Sequence, residues 1–109
     1  MLVSSGAAVG NYTGWGAYGS SKAVLNHLAT TLAAEEPDVV AVAVRPGVVD
    51  TAMQEEIRAR HHVNMDPRQA QRFVDLKAQG GLLRPEQPGG VIADFAADPD
   101  RRLSGKFLR

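Results

Sequence analysis

The sequence predicts an α/β fold in which about three parallel strands form one layer and helices flank it. Two observations carry this prediction. Residues 39–44 form an uninterrupted Val-Val-Ala-Val-Ala-Val run without the alternation of a half-solvated strand, which indicates a parallel strand buried on both faces. The predicted elements also follow the order β-α-β-α-α-α-β, which implies right-handed crossovers between parallel strands.

The first two elements are a short strand and a long helix. The apolar run over residues 1–4 stops at Ser4-Ser5-Gly6, and residues 5–16 are rich in Gly, Ser, Thr and Asn, which is typical of a loop. A helix is predicted from about residue 17 to residue 35 and ends before Pro37, because proline cannot continue the hydrogen-bond ladder. Its apolar residues recur at helical spacing on one face: Leu25, Leu28, Ala29, Leu32 and Ala33.

The buried strand is followed by three further helices and a last strand. Arg45-Pro46-Gly47 breaks the strand, and Asp66 before Pro67 predicts a capped helix start. Helices are predicted over 51–60, 67–79 and 85–97, with a final strand over 103–108. In the last helix, three apolar residues are expected to face inward: Val91, Ile92 and Phe95.

Composition excludes several classes of function. The 109 residues carry 12 Lys+Arg and 12 Asp+Glu, so the formal net charge is zero, which argues against nucleic acid and membrane surfaces as partners. No cysteine is present, which excludes disulfides and thiolate chemistry, and no apolar stretch approaches the roughly 20 residues of a membrane helix. His61 and His62 lack accompanying ligands at metal spacing. We therefore expect one domain over residues 1–109, a cytoplasmic location and no metal.

The strongest chemical signal is Tyr18-Gly19-Ser20-Ser21-Lys22 at the start of the long helix. Residues four apart lie on one helical face, so the phenol and the ammonium address the same point, and the cation favours the phenolate. Such a pair alone is a weak signal. Its context strengthens it, because Ser5 ends one predicted strand and Arg45-Pro46-Gly47 ends the next, and α/β sheets bind ligands at the carboxyl ends of their strands.

These segments together resemble the classical short-chain dehydrogenase/reductase family. The resemblance rests on four stretches that cover nearly all of the chain: Val3-Ser4-Ser5, Tyr18 to Ala23, Arg45-Pro46-Gly47-Val48-Val49-Asp50-Thr51, and Leu103-Ser104-Gly105-Lys106-Phe107. Gly14-Trp15-Gly16-Ala17-Tyr18, with Leu25-Asn26-His27-Leu28, is similar to the benzil reductase or sepiapterin reductase-like branch. The implied fold is the C-terminal part of a Rossmann-like doubly wound parallel sheet. The N-terminal βαβαβ half, which carries the glycine-rich phosphate turn, is absent from this sequence.

The resemblance implies a nicotinamide-dependent carbonyl reductase or alcohol dehydrogenase, with NADP preferred over NAD. Tyr18 would transfer a proton to or from the substrate oxygen, Lys22 would assist it and bind the nicotinamide ribose, and Ser5 would hold the substrate oxygen. The implied cofactor-binding residues are Tyr18, Lys22, Pro46, Gly47, Val49 and Thr51. The implied partners are a small carbonyl or alcohol substrate and, for the parent enzyme, further copies of itself.

Several of these residues have structural alternatives. Ser5 is also a candidate for a cap, and Ser4 competes for its role; Thr51 and Asp50 are rival caps of the following helix. Trp15 fits a substrate pocket and ordinary packing about equally well. Met53 and Ile57 are expected to be lid or core contacts, and a solvated or lid position is expected for the two histidines: His61 and His62.

Two hypotheses of function follow. The first is that the chain is the catalytic half of a truncated reductase, in which case the chain alone is expected to show no appreciable NAD(P)H binding or turnover. The second is a non-catalytic remnant that associates with other proteins through an exposed sheet edge and helix face. The first is preferred, because the catalytic residue types persist at the family's spacing.

Overall fold

A parallel three-stranded sheet organises the computed structural model, which describes residues 1–109. Its strands are β1 (Leu2–Val3), β2 (Ala43–Val44) and β3 (Phe107–Leu108), with β2 in the middle. In the register of the sheet, Leu2 pairs with Ala43, which pairs with Phe107 on its other side. The carboxyl ends of all three strands therefore meet at one edge.

Four helices and three single turns of 3-10 helix connect and flank the strands. The helices are α1 (Gly16–Glu35), α2 (Ala52–Ala59), α3 (Pro67–Ala78) and α4 (Glu86–Ala97), and the 3-10 turns are Gly6–Ala8, His61–Asn64 and Arg101–Leu103. The predicted α/β class and the order β-α-β-α-α-α-β are confirmed. None of the helices combines the length and the apolar character needed to cross a bilayer.

The central strand is shorter than the apolar run predicts. Its hydrogen-bonded part is extended by Leu2 N–H, which donates to the Val42 carbonyl at 2.8 Å, and by Gly105 N–H, which donates to the Ala41 carbonyl at 2.7 Å. Val39 lies outside it, because its N–H donates to the Glu36 carbonyl at 2.9 Å and closes the end of α1. The turn that follows α1 therefore includes the beginning of the apolar run over residues 39–44, which shortens the strand.

The core around the sheet is small. The burial of consecutive residues at β2 agrees with the prediction that this strand is covered on both faces. Ala41, Val42 and Ala43 are 4%, 1% and 0% exposed, and Ala29 of α1 is fully buried. The turn before β3 lies close to α1: Gly105 has φ +79°, and a Cβ at this position would lie 3.1 Å from the Ala33 Cβ. A glycine is needed there both for the left-handed backbone and for the close approach.

Two predictions about the C-terminal third are corrected. Val91 of α4 is 70% exposed, whereas Ile92 and Phe95 are half-buried, because successive helical residues point about 100° apart and the inward stripe runs at i, i+3. The last strand is shorter than residues 103–108, because Asp100 accepts from Arg102 N–H at 3.0 Å and starts a 3-10 turn over Arg101–Leu103.

Candidate active site

The two serines after β1 use their hydroxyls differently. Ser4 is 3% exposed, and its Oγ donates to the Lys22 carbonyl at 3.2 Å, which fastens α1 to the strand. Ser5 is half-buried and caps the Gly6–Ala8 turn, because its Oγ accepts from Ala7 N–H at 3.2 Å. As an acceptor in this cap, the Ser5 hydroxyl keeps its own proton for a further partner. Ser5 can therefore cap the turn and still contact a substrate, whereas the buried Ser4 hydroxyl is already bonded to the Lys22 carbonyl.

Lys22 and Tyr18 are held together at the beginning of α1. Lys22 Nζ donates to the carbonyl of Val3, in β1, at 3.0 Å and lies 5.7 Å from the centroid of the Tyr18 ring. The Tyr18 ring meets Trp15 edge to face, with centroids 5.5 Å apart and an angle of 84° between planes. The predicted proximity of phenol and ammonium is thus present, and aromatic packing restricts the orientation of the phenol.

Gly19, inside the Tyr18 to Lys22 segment, lets α1 approach the turn that Ser5 caps. A Cβ at Gly19 would lie 2.8 Å from the carbonyl oxygen of Ala7, closer than real Cβ contacts allow. Sequence reasoning did not assign this residue a role. The sequence did contain a signal: a glycine in the first turns of a helix destabilises it by up to about 1 kcal/mol relative to alanine, so its presence indicates a close packing contact.

The chain turns sharply after β2 and then pairs with a distant segment. Gly47 has φ +87°, in the left-handed region, and a Cβ there would lie 2.9 Å from the Leu83 Cδ1. Beyond this turn, Leu83 N–H donates to the Val48 carbonyl at 2.9 Å, and Asp50 N–H donates to the Leu83 carbonyl at 2.8 Å. The N–H of Val49 makes no hydrogen bond within the chain and remains available as a donor.

The start of α2 is not capped by either predicted side chain. Thr51 occupies the N-cap position, but its Oγ1 donates to the Val49 carbonyl at 3.3 Å and makes no capping hydrogen bond. The carboxylate of Asp50 instead forms an ion pair with Lys77 of α3, with 2.8 Å between Oδ2 and Nζ. Thr51 is exposed at this position, so its hydroxyl is accessible to solvent or a ligand.

The segments that follow β1 and β2 meet at the same edge of the sheet. The Arg45 guanidinium lies over the Phe107 ring, 5.8 Å from its centroid. Its Nη1 would be 3.5 Å from a Cβ placed on Gly6, next to Ser5. The turn at Pro46 therefore lies at the same edge of the sheet as Ser5 and the start of α1, as the sequence predicts.

A cavity of about 270 Å³ opens between the start of α1 and the face of α2. Ile57 is buried in its wall, which agrees with the predicted core contact, and Met53 is 56% exposed, so it is not part of the core. Trp15 both lines the cavity and packs against the cluster of Ile57, Met65 and Phe73. The full lining is Gly14, Trp15, Tyr18, Met53, Glu56, Ile57 and His61.

Two ionisable side chains besides Tyr18 line this cavity. His61 Nε2 lies 3.7 Å from Glu56 Oε1, and Arg60 Nη1 lies 3.9 Å from the same oxygen. His62, the neighbour of His61, is not part of the lining. No group of three His, Asp or Glu side chains is arranged to hold a metal ion.

The loop that carries Trp15 is fastened to α3, a relationship that sequence reasoning missed. Gln69 accepts from Thr13 N–H at 3.0 Å and donates through Nε2 to the Asn11 carbonyl at 3.1 Å. Gly14 has φ +81°, and a Cβ there would collide with the Asn64 carbonyl oxygen. No local sequence pattern identifies these contacts. Gln69 lies more than fifty residues from its partners in the chain, and the contact of Gly14 with Asn64 depends on the path of the loop.

Comparisons with known proteins give a consistent picture. A family model described as short chain dehydrogenase matches residues 1–62. A benzil reductase, (S)-benzoin forming, from Saccharomyces cerevisiae is 46% identical over 114 residues that cover 100% of this chain and 43% of that protein. A benzil reductase from Bacillus cereus is 44% identical, over 85% of this chain and 38% of that protein. The crystal structure of the KRED1-Pglu enzyme matches with a TM-score of 0.93 and 47% identity, over 96% of this chain and 44% of its own.

Proposed function

Because the chain belongs to the short-chain dehydrogenase family, we propose that it forms the proton-transfer and nicotinamide-facing part of an NAD(P)-dependent oxidoreductase. The reaction is reduction of a carbonyl group to an alcohol, or the reverse. The observation that carries this proposal is the Tyr18 and Lys22 pair: Lys22 is bonded to the end of β1, and Tyr18 lines a largely apolar cavity. The chain spans 43% of the yeast benzil reductase, so the activity is proposed for the whole enzyme.

Proton transfer is assigned to Tyr18. A bound nicotinamide supplies the hydride to the carbonyl carbon during reduction. The phenol of Tyr18 donates its proton to the carbonyl oxygen, and the phenolate accepts a proton from the alcohol in the reverse direction. The Lys22 ammonium stabilises the negative charge of the phenolate, and the Ser5 hydroxyl donates a hydrogen bond to the substrate oxygen as charge develops on it.

The residues beyond β2 fit a nicotinamide group. Val49 offers an unused main-chain N–H, and Thr51 has an exposed hydroxyl. Gly47, after Pro46, adopts the left-handed conformation that turns the chain between β2 and these two donors. Lys22 uses one of its three N–H donors on the Val3 carbonyl, so the others are available to a ribose hydroxyl. NADP is the first form to test and NAD the second.

The experiment is a chimera in which this chain replaces the matching C-terminal part of the yeast benzil reductase. We expect oxidation of NADPH in the presence of benzil. Tyr18→Phe should lower kcat by about a thousandfold or more, because general acid–base catalysis contributes about 100- to 10,000-fold to a rate. The Kd for NADPH should change by less than about twofold. Tyr12→Phe is the matched control, because Tyr12 is the other of the chain's two tyrosines and packs beside Trp15, outside the Tyr18 to Lys22 segment.

Retained turnover in the Tyr18→Phe chimera would contradict the assigned proton transfer. An unsubstituted chimera that folds and binds NADPH but reduces no carbonyl compound would favour the second hypothesis, a non-catalytic interaction module. Folding is checked by circular dichroism and thermal unfolding against the intact yeast protein.

A further inference from the structure

The cavity beside Tyr18 has two chemically different parts. Trp15 and Ile57 give it an aromatic and aliphatic wall, to which Met53 adds a flexible thioether. Glu56 and His61 give it a polar part, contributed by α2 and by the 3-10 turn that follows. A cavity of about 150 Å³ is large enough for benzene, so about 270 Å³ has room for one aromatic ring with substituents.

Glu56 and His61 have hydrogen-bonding capacity that the chain does not use. The 3.7 Å between His61 Nε2 and Glu56 Oε1, and the 3.9 Å between Arg60 Nη1 and the same oxygen, are longer than hydrogen bonds. Neither side chain makes a hydrogen bond within the chain, and each is about half exposed, at 53% for Glu56 and 54% for His61. A hydroxyl placed between them would donate to the carboxylate and accept from an imidazole N–H.

We infer that Glu56 and His61 determine substrate specificity by binding a hydroxyl group on the ring of an aryl ketone whose carbonyl lies at Tyr18. The inference rests on the proposed function for the position of the carbonyl. The ring occupies the apolar part, against Trp15, and the hydroxyl reaches the polar part. Among aryl ketones, the preferred one therefore carries a hydrogen-bond donor on its ring, away from the carbonyl.

The test compares two ketones of nearly the same shape, para-hydroxyacetophenone and para-methylacetophenone. Trp15 is the single tryptophan, so its indole N–H gives one assigned signal in the nitrogen-15 spectrum of the labelled chain, and titration of that signal reports occupancy of the cavity. We expect the hydroxyl compound to bind about five- to tenfold more tightly, the net effect of one ordinary hydrogen bond at a half-exposed site. Binding is measured without turnover.

Matched variants separate the two polar residues from their neighbours. Glu56→Leu and His61→Phe should each reduce the preference for the hydroxyl compound, and the double variant should abolish it. Glu55→Leu and His62→Phe should leave it unchanged, because these exposed neighbours of the same residue types do not line the cavity.

Three outcomes would overturn the inference: no preference in the unsubstituted chain, an undiminished preference in the double variant, or no shift of the Trp15 signal with either ketone. All three leave proton transfer by Tyr18 to be judged separately, by turnover of the Tyr18→Phe chimera. Conversely, a hydroxyl preference that the double variant removes would support the binding role even in a chain that does not catalyse the reaction. Circular dichroism verifies that each variant is folded.

Discussion

Trp15 stacks on Phe73, with ring centroids 5.6 Å apart and 26° between the ring planes. Phe73 belongs to α3 and is 5% exposed, whereas Trp15 precedes the first turn of α1 and lines the cavity beside Tyr18. Trp15 thus both packs against the cluster of Ile57, Met65 and Phe73 and lines the cavity of the candidate active site. The position of the start of α1 therefore depends on the packing of α3.

Replacing Phe73 by leucine should test this dependence. Leucine retains an apolar side chain but loses the ring contact with Trp15 and leaves some volume unfilled, so we expect a loss of about 1–3 kcal/mol in the free energy of unfolding. Urea denaturation followed by tryptophan fluorescence measures it, and the emission of the native variant should move toward that of an exposed indole. Val74→Ala, at a neighbouring position that is 44% exposed, is the control and should change stability by less than about 0.5 kcal/mol. Equal losses in both variants would contradict a special role for the stack.

Gln69→Ala should release the loop before Trp15. It removes one hydrogen bond from Thr13 N–H and one to the Asn11 carbonyl, and each is worth about 1 kcal/mol. Hydrogen exchange at the Thr13 amide should accelerate about tenfold or more, because its acceptor is lost. Gln71→Ala is the control, since Gln71 bonds only to Asp75 on its own helix. Unchanged exchange at Thr13 would show that the loop is held by its aromatic packing alone.

The elements of the fold were largely predictable from the sequence, whereas the pairing of particular side chains was not. Pro37 and Asp66 act locally, so helix ends near them agree closely with the structure. Val39 deviates because its N–H donates to the Glu36 carbonyl in the turn after α1, and Val91 deviates because the less exposed stripe of α4 runs through Ile92 and Phe95. Periodicity identifies an amphipathic face but not the element that covers it.

The candidate site shows the same division. The four-residue spacing of Tyr18 and Lys22 fixes their common face, so their proximity was predictable. The sequence could not show which of His61 and His62 lines the cavity, because the 3-10 turn that contains them determines their orientation. Glu56 was not singled out, since a surface carboxylate on a helix has no distinctive pattern.

Gly19→Ala should displace the start of α1 from the turn capped by Ser5. The new Cβ would lie 2.8 Å from the Ala7 carbonyl oxygen, and a backbone atom cannot yield as a flexible side chain does. We expect a loss of about 1–3 kcal/mol in the free energy of unfolding, as for other overpacked positions, together with a lower kcat in the chimera. Gly16→Ala is the control, because its Cβ would meet nothing within 4 Å, and it should be neutral or stabilise the helix by up to about 1 kcal/mol. Equal stability of the two variants would show that the contact relaxes without cost.

The start of α3 should make stability fall in acid. Asp66 accepts from Arg68 N–H at 2.9 Å, and this backbone hydrogen bond, with the nearby Arg68 charge, lowers the pKa of the Asp66 carboxyl below its ordinary value of 3.8. Because the folded pKa is the lower one, the unfolded chain binds the proton first as the pH falls. The stabilising contribution is therefore complete above about pH 4 and is lost as the pH falls through the folded pKa.

Asp66→Asn isolates this contribution, because asparagine also caps helices but does not titrate in acid. We expect the wild-type chain to lose its stability advantage over Asp66→Asn as the pH is lowered from about 5 toward 2, measured as the difference in Tm at each pH. Asp100, whose pKa is also lowered through its bonds to Arg102, titrates in both proteins and cancels in the comparison. Asp75→Asn is the control, because Asp75 lies later in α3, away from the N-cap, and accepts from Gln71. A difference in Tm between wild type and Asp66→Asn that stays constant over this range would show that the Asp66 cap acts through geometry rather than charge.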